Sequence, residues 1–254
     1  MTGPFGAEDP GEDVEPEGVI VSISPSAAAP EGVSFDELRM GFTAAVSHEL
    51  RTPLARILAL IDSAELPGAD VAALLDDARA EVENAGALID EILFLSELES
   101  GREVVALGYT SALPVLEDVI ERLGARAGRA GVRLRVAGER DIDLPLRPRM
   151  LRIIAENLAE NAIRYAGRVT TFTLAVVRED SRVVLIAADD GVGVGPRDLP
   201  RLFERFWRAD AARASRGTGL GLAIVKHVVT AAGGTITAAS EPGSGLQVRC
   251  AFPE

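Results

Sequence analysis

With 254 residues and a hydrophobic content of 47%, the chain can bury the core of one large or two modest domains, and two are expected. The formal net charge of -13 is uneven, because residues 1–38 hold nine acids and no base and so account for -9 of it. No basic surface for a nucleic-acid partner results, and the single cysteine, Cys250, excludes an internal disulfide and a multi-cysteine metal site.

No run approaches the roughly 18 to 20 apolar residues that span a bilayer, and the N-terminus lacks the basic and apolar regions of a signal peptide. The expected location is cytoplasmic, as a whole protein or as the soluble portion of a membrane receptor. Residues 1–34 are rich in Pro, Gly, Glu, Asp and Ser and read as an acidic disordered tail or linker. One short apolar run interrupts them, Val19 to Ile23, which could be a strand from a sensor module.

A helix is expected from Ser34 or Asp36, either of which can cap it, to about Ala64, with Leu66-Pro67-Gly68 breaking it. It contains FTAAVSHELRTPL, Phe42 to Leu54. At about 100° per residue, the stripe of Phe42, Val46, Leu50, Leu54, Ile57 and Ile61 lies opposite His48, which therefore faces outward beside Glu49. Thr52, one turn on, shares that face. Pro53 cannot donate to the carbonyl of Glu49, so the helix should bend or loosen there.

A second amphipathic helix is expected from Asp70 to Glu99, with Leu74, Ala78, Val82, Ala85, Leu88, Ile92 and Leu95 at three and four spacing. The two helices form an antiparallel hairpin over residues 35–103. A lone hairpin leaves apolar flanks in water, which favours a homodimer through a four-helix bundle; a monomeric hairpin resting on the C-terminal domain is the alternative.

From 104 to 254 the pattern is mixed. Strands are expected at Val104–Leu107, Val132–Val136, Thr170–Val177, Arg182–Ala188, Thr235–Ala239 and Leu246–Phe252. Helices are expected at Ala112–Ala130, Pro148–Tyr165, Leu199–Trp207 and Leu220–Ala232. The fold class is α+β, with the hairpin followed by an α/β sandwich that has helices layered on a mixed sheet.

Four segments of this domain carry chemistry. Asn157, Asn161, Arg164 and Tyr165 form a polar ridge on one helix, and amides one turn apart can offer carbonyl oxygens to a hard cation such as Mg2+. Asp189 ends an apolar strand and precedes Gly191 and Gly193. A carboxylate there can accept from an exocyclic amine, while the glycines let a planar base lie alongside. Gly217, Thr218, Gly219, Leu220 and Gly221 open a helix whose free N–H groups can hold phosphates. Between them, Pro196 to Arg216 carries Arg201, Arg205, Arg208, Arg213 and Arg216 with Phe203, Phe206 and Trp207, and reads as a mobile lid over a polyphosphate.

Together SHELRTPL, NLAENAIRY, DDGVGVG, LFERFWR and GTGLGLAIVKH, in this order, resemble the sensor histidine kinases of two-component systems. The resemblance runs from about residue 35 to the C-terminus. It implies a dimerisation and histidine phosphotransfer domain followed by a Bergerat-type ATP-binding domain. It also implies that His48 is the phosphoacceptor, Glu49 the general base and Thr52 a water-orienting group in dephosphorylation of the regulator. Asn161 would be the main Mg2+ ligand, with Asn157 beside the phosphates, Asp189 on the adenine amine and Tyr165 along the base or ribose. Arg164 would contact phosphate where the family more often has lysine. Gly191 and Gly193 would shape the adenine end of the site, and Gly217, Gly219 and Gly221 its phosphate end; Trp207 departs from the family's usual tyrosine. The implied activity is autophosphorylation from ATP and transfer to an aspartate of a response regulator's receiver domain. The alternative is a catalytically silent scaffold or phosphorelay module. A related chaperone or repair ATPase would lack the exposed His48. His227 is assigned no catalytic role.

Overall fold

Two long helices flank Leu66-Pro67-Gly68: α1 (Phe35–Ala64) and α2 (Val71–Glu99). The computed structural model describes residues 19–23, 35–100, 105, 108–209 and 217–254. The remainder of the expected tail, most of the expected Val104–Leu107 strand, and Arg213 and Arg216 lie outside the described residues. Asp70 caps α2, its carboxylate accepting from the Ala73 amide at 3.1 Å, and α1 runs through Pro53 as one helix. Arg56 reaches the buried Glu81 at 3.6 Å and ties the helices together.

Leu88, Leu95 and Leu98 of α2 belong to the same buried cluster as the core of the second domain. Leu54, Leu58, Ile61, Leu75, Val82, Ile89 and Leu93 remain exposed, with Leu58 at 63%. The hairpin therefore rests on the second domain and still presents an apolar stripe to solvent. Among the described residues, no helix is long and apolar enough to cross a membrane.

The second domain contains β2 (Thr110–Ser111), α3 (Ala112–Ala130), β3 (Val132–Gly138), β4 (Asp143–Leu144), α4 (Pro148–Tyr165), β5 (Thr170–Glu179), β6 (Arg182–Asp189), α5 (Gly221–Ala231), β7 (Thr235–Ser240) and β8 (Leu246–Pro253). The main sheet is mixed: β3 and β5 are parallel, and β5, β6, β8 and β7 are antiparallel neighbours. Alternation along β5 buries Thr170, Phe172, Leu174 and Val176 on the side that meets the helices. Arg126 to Glu160 at 2.9 Å and Arg152 to Asp118 at 3.2 Å zip α3 to α4.

Two elements differ from expectation. The run Val19–Ile23 is strand β1, and it belongs to this sheet, paired antiparallel with β7 so that Val21 stands opposite Ala238 and Ile23 opposite Ile236. Val21 and Ile23 pack on the core while Ile20 faces solvent. The physical reason is the edge of β7 away from β8, whose outward N–H and C=O groups would otherwise lack strand partners. The expected helix Leu199–Trp207 is a single 3-10 turn, Leu199–Arg201, followed by irregular turns. Phe206 has φ 60, a left-handed conformation that a right-handed helix cannot contain.

Candidate functional site

A cavity of about 500 Å³ opens between α4, the end of β6 and the start of α5. Along α4, Asn157, Asn161, Arg164 and Tyr165 line it, as their spacing predicts. The Asn157 side-chain amide donates to the Ile153 carbonyl at 2.8 Å, which turns its oxygen toward α5. A Cβ on Gly221 would stand 2.5 Å from that oxygen. Arg164 donates to Glu160 at 2.7 Å, and Glu160 also accepts from Arg126. Glu160 also lines the cavity, and no sequence signal separated it from the other acids of α4.

At the opposite wall, Asp189 stands half-buried at the end of β6, and its Oδ1 accepts from the Gly191 amide at 2.9 Å. Burial pushes its carboxyl above the usual range, against the pull of backbone hydrogen bonds from Gly191 and Leu246. Gly193 is needed as glycine: it has φ 68, and a Cβ there would collide with the Glu241 carbonyl. Gly191 stands against the Ala166 carbonyl, and Leu220, just before α5, is fully buried. Gly217, Thr218, Gly219 and Gly221 line the end nearest α5, and Arg208 and Trp207 close the side.

In the segment after Pro196, Phe203 is buried and the Arg201 guanidinium lies 5.6 Å from the Trp207 ring centroid. Arg205 forms an ion pair with Glu99 at the end of α2, and His227 Nε2 lies 3.4 Å from the same carboxylate. Burial, then the charges of Arg205 and Lys226, push His227 down to about 4, so it is neutral here. Burial raises Glu99 as well. His227 thus joins the contact between α2 and α5, a place that sequence position alone did not indicate.

Beside the cavity runs a cleft between the hairpin and the second domain. His48, Glu49, Thr52 and Pro53 form one bank; Arg164, Arg205, Arg208, Gly217 and Thr218 form the other. The His48 side chain is 77% exposed, with Nδ1 3.5 Å from Glu49 Oε1. Thr52 Oγ1 donates to the His48 carbonyl at 3.4 Å. Glu91 of α2 borders both spaces, and its Oε2 accepts from Thr218 Oγ1 at 2.6 Å. Nothing in the sequence distinguished it from the other acids along α2.

The cavity suits a nucleotide. It pairs a carboxylate acceptor for a base amine with a helix start and two arginines for phosphates. Among the described residues no cluster of three His, Cys, Asp or Glu could hold a metal. A cation here would take the Asn161 amide oxygen, phosphate oxygens and water, a donor set that fits Mg2+.

Residues 38–101 match the His Kinase A (phospho-acceptor) domain, and residues 147–254 match the histidine kinase-, DNA gyrase B- and HSP90-like ATPase family. The chain is 33% identical over 221 residues to the sensor-like histidine kinase SenX3 of Mycobacterium tuberculosis, covering 85% of this chain and 54% of that protein. The structure of the Acinetobacter baumannii histidine kinase AdeS aligns with TM-score 0.67 at 23% identity, over 81% of this chain and 97% of that one. Full-length ShkA, solved in complex with AMPPNP, aligns with TM-score 0.59 at 28% identity, over 83% of this chain and 45% of that one. The chain spans about half the length of the curated relatives it matches. Two family models matched in order, over a hairpin with an exposed histidine and a nucleotide-shaped cavity, show that the chain belongs to the sensor histidine kinases of two-component systems.

Proposed function

We propose that this protein phosphorylates His48 from ATP and passes the phosphoryl group to an aspartate on the receiver domain of a response regulator. The observation that carries the proposal is the shared border of the two spaces. Arg164, Arg208, Gly217 and Thr218 line both the nucleotide cavity and the cleft where His48 stands.

Glu49 faces Nδ1 of His48, which favours the tautomer with the proton on Nδ1 and leaves the Nε2 lone pair for attack. The Nε2–P bond forms at the γ-phosphorus, the bond to the bridging oxygen of ADP breaks, and Glu49 takes the Nδ1 proton as charge develops on the ring. The 3.5 Å separation would tighten once substrate is in place. Arg164 and Arg208 stabilise the charge spread over the transferring group. Bound Mg2+, held through Asn161, would neutralise phosphate charge. Asp189 and Tyr165 orient the base, and Asn157 keeps the start of α5 beside the phosphates.

Thr52 shares the face of His48, which supports a second activity, dephosphorylation of the regulator with the Thr52 hydroxyl orienting water. The exposed stripe of Leu54, Leu58, Ile61, Ile89 and Leu93 supports a homodimer through a four-helix bundle. Dependence on ATP and on a receiver domain supports a cytoplasmic site of action.

Incubation with γ-labelled ATP and Mg2+ tests the reading. Label stable to alkali, labile to acid and absent in His48→Gln is expected. Nucleotide binding without label would overturn it in favour of a silent scaffold.

A further inference from the structure

Among the described residues, Glu91 is the one residue of the hairpin that lines the nucleotide cavity. It reaches the phosphate end of that cavity across the domain boundary, where its carboxylate accepts from Thr218 Oγ1 at 2.6 Å. The Thr218 hydroxyl oxygen in turn accepts from the Leu220 amide at 3.2 Å, so the acid is held through Thr218 at the start of α5. Such a helix start, with its free N–H groups and positive end, is where a phosphate anion would be held. Arg164, on the facing helix, favours the charge of Glu91, while Glu160 on the same helix opposes it. A carboxylate thus occupies surroundings suited to a phosphate, and it comes from the hairpin that carries His48.

We infer that Glu91 is an internal competitor of the ATP phosphates, a latch that holds the hairpin against the phosphate loop until a nucleotide with its full phosphate chain displaces it. This rests on the cavity being the ATP site. A carboxylate and a phosphate group cannot share one helix start without repulsion of several-fold in affinity or more. Adenine and ribose, bound at the Asp189 end, would not meet Glu91. The latch therefore discriminates by phosphate chain: it opposes the triphosphate and leaves AMP unaffected. Release by ATP would free the catalytic domain to approach His48, which couples loading of the site to the domain movement. The desolvation that raises the Glu91 carboxyl is in keeping with an acid held away from water.

The test measures binding of AMP and of the β,γ-imido analogue of ATP, with Mg2+, to the full chain and to Glu91→Gln, which keeps size and hydrogen bonding while removing charge. The substitution is expected to tighten the triphosphate analogue about tenfold and to leave AMP unchanged, raising the ratio of the two affinities by the same factor. A packing role alone would move both ligands together, and that result, or an unchanged ratio, overturns the latch. Failure of both proteins to bind either nucleotide would instead overturn the ATP-site reading, and the latch with it. A second readout uses the unsubstituted chain: small-angle scattering should change on adding the triphosphate analogue and stay constant with AMP. Identical curves with the two ligands also overturn the latch.

Discussion

The backbone amide of Phe206 donates to the carbonyl of Gly219 at 3.0 Å, and this bond joins the two ends of the segment that carries Trp207 and Arg208. Phe206 sits at φ 60 and Gly219 at φ 71, so both residues adopt left-handed backbone to make the closure. A Cβ on Gly219 would stand 2.8 Å from the Phe206 carbonyl carbon. Gly219→Ala should therefore open the base of the lid and weaken ATP binding about tenfold, given a typical strain of about 1 to 3 kcal/mol at such a position. Titration calorimetry with the ATP analogue checks this.

Asp189 should be needed for the base more than for the fold. Asp189→Asn is expected to weaken ATP binding by about ten- to a hundredfold, as for a lost hydrogen bond to a charged group. The folded state raises this carboxyl, so the protonated form is favoured on folding, and stability from it is lost as pH rises through the raised value. The ionised acceptor is lost in the other direction. ATP affinity should fall with acidification at a pH above the usual carboxylate range, and calorimetry across pH reads the shift.

His227 makes an opposite contribution. Glu99 lies close enough to favour the charged ring, but Arg205 engages that carboxylate and burial outweighs what remains. With the folded value near 4 against an ordinary 6.5, the unfolded chain binds more protons between them. Stability is then full above pH 6.5 and is lost as pH falls toward 4, by at most about 3 kcal/mol. His227→Asn should flatten the thermal midpoint of unfolding over this window relative to the unsubstituted chain.

Strand β1 should protect the edge of β7. Replacing both Val21 and Ile23 with Asp removes two apolar side chains from the core face and is expected to cost about 2 to 4 kcal/mol of stability. Faster hydrogen exchange confined to Thr235–Ser240, with α4 unaffected, would show local detachment.

The stripe of α1 should carry the dimer. Leu58→Arg, on an exposed site at 63%, leaves the single-chain core intact and should shift the protein to a monomer in analytical ultracentrifugation, without a drop in ATP affinity.

The order of elements was legible because it is a local matter. α3 and α4 span the expected Ala112–Ala130 and Pro148–Tyr165, and α2 begins at Val71, one residue past the expected Asp70. Asn157, Asn161, Arg164 and Tyr165 could be placed together because four residues of one helix share a face by geometry alone. His48 could be placed outward for the same reason. The Leu199–Trp207 segment misled, since its apolar spacing suits a helix while Phe206 is held left-handed by its bond to Gly219, thirteen positions away.

The sequence by itself determined which candidate groups share a helix face or a loop, because each motif places its donors and acceptors within a turn or two of chain. Tertiary structure decided what those groups meet. The pairing of β1 with β7 spans more than two hundred positions, and Thr218 meets Glu91 across 127. Hydropathy gives β1 an apolar face but no partner, and it gives Glu91 only a place among the acids of α2. Their contacts follow from how the hairpin settles on the sheet domain, a packing result that no local pattern encodes.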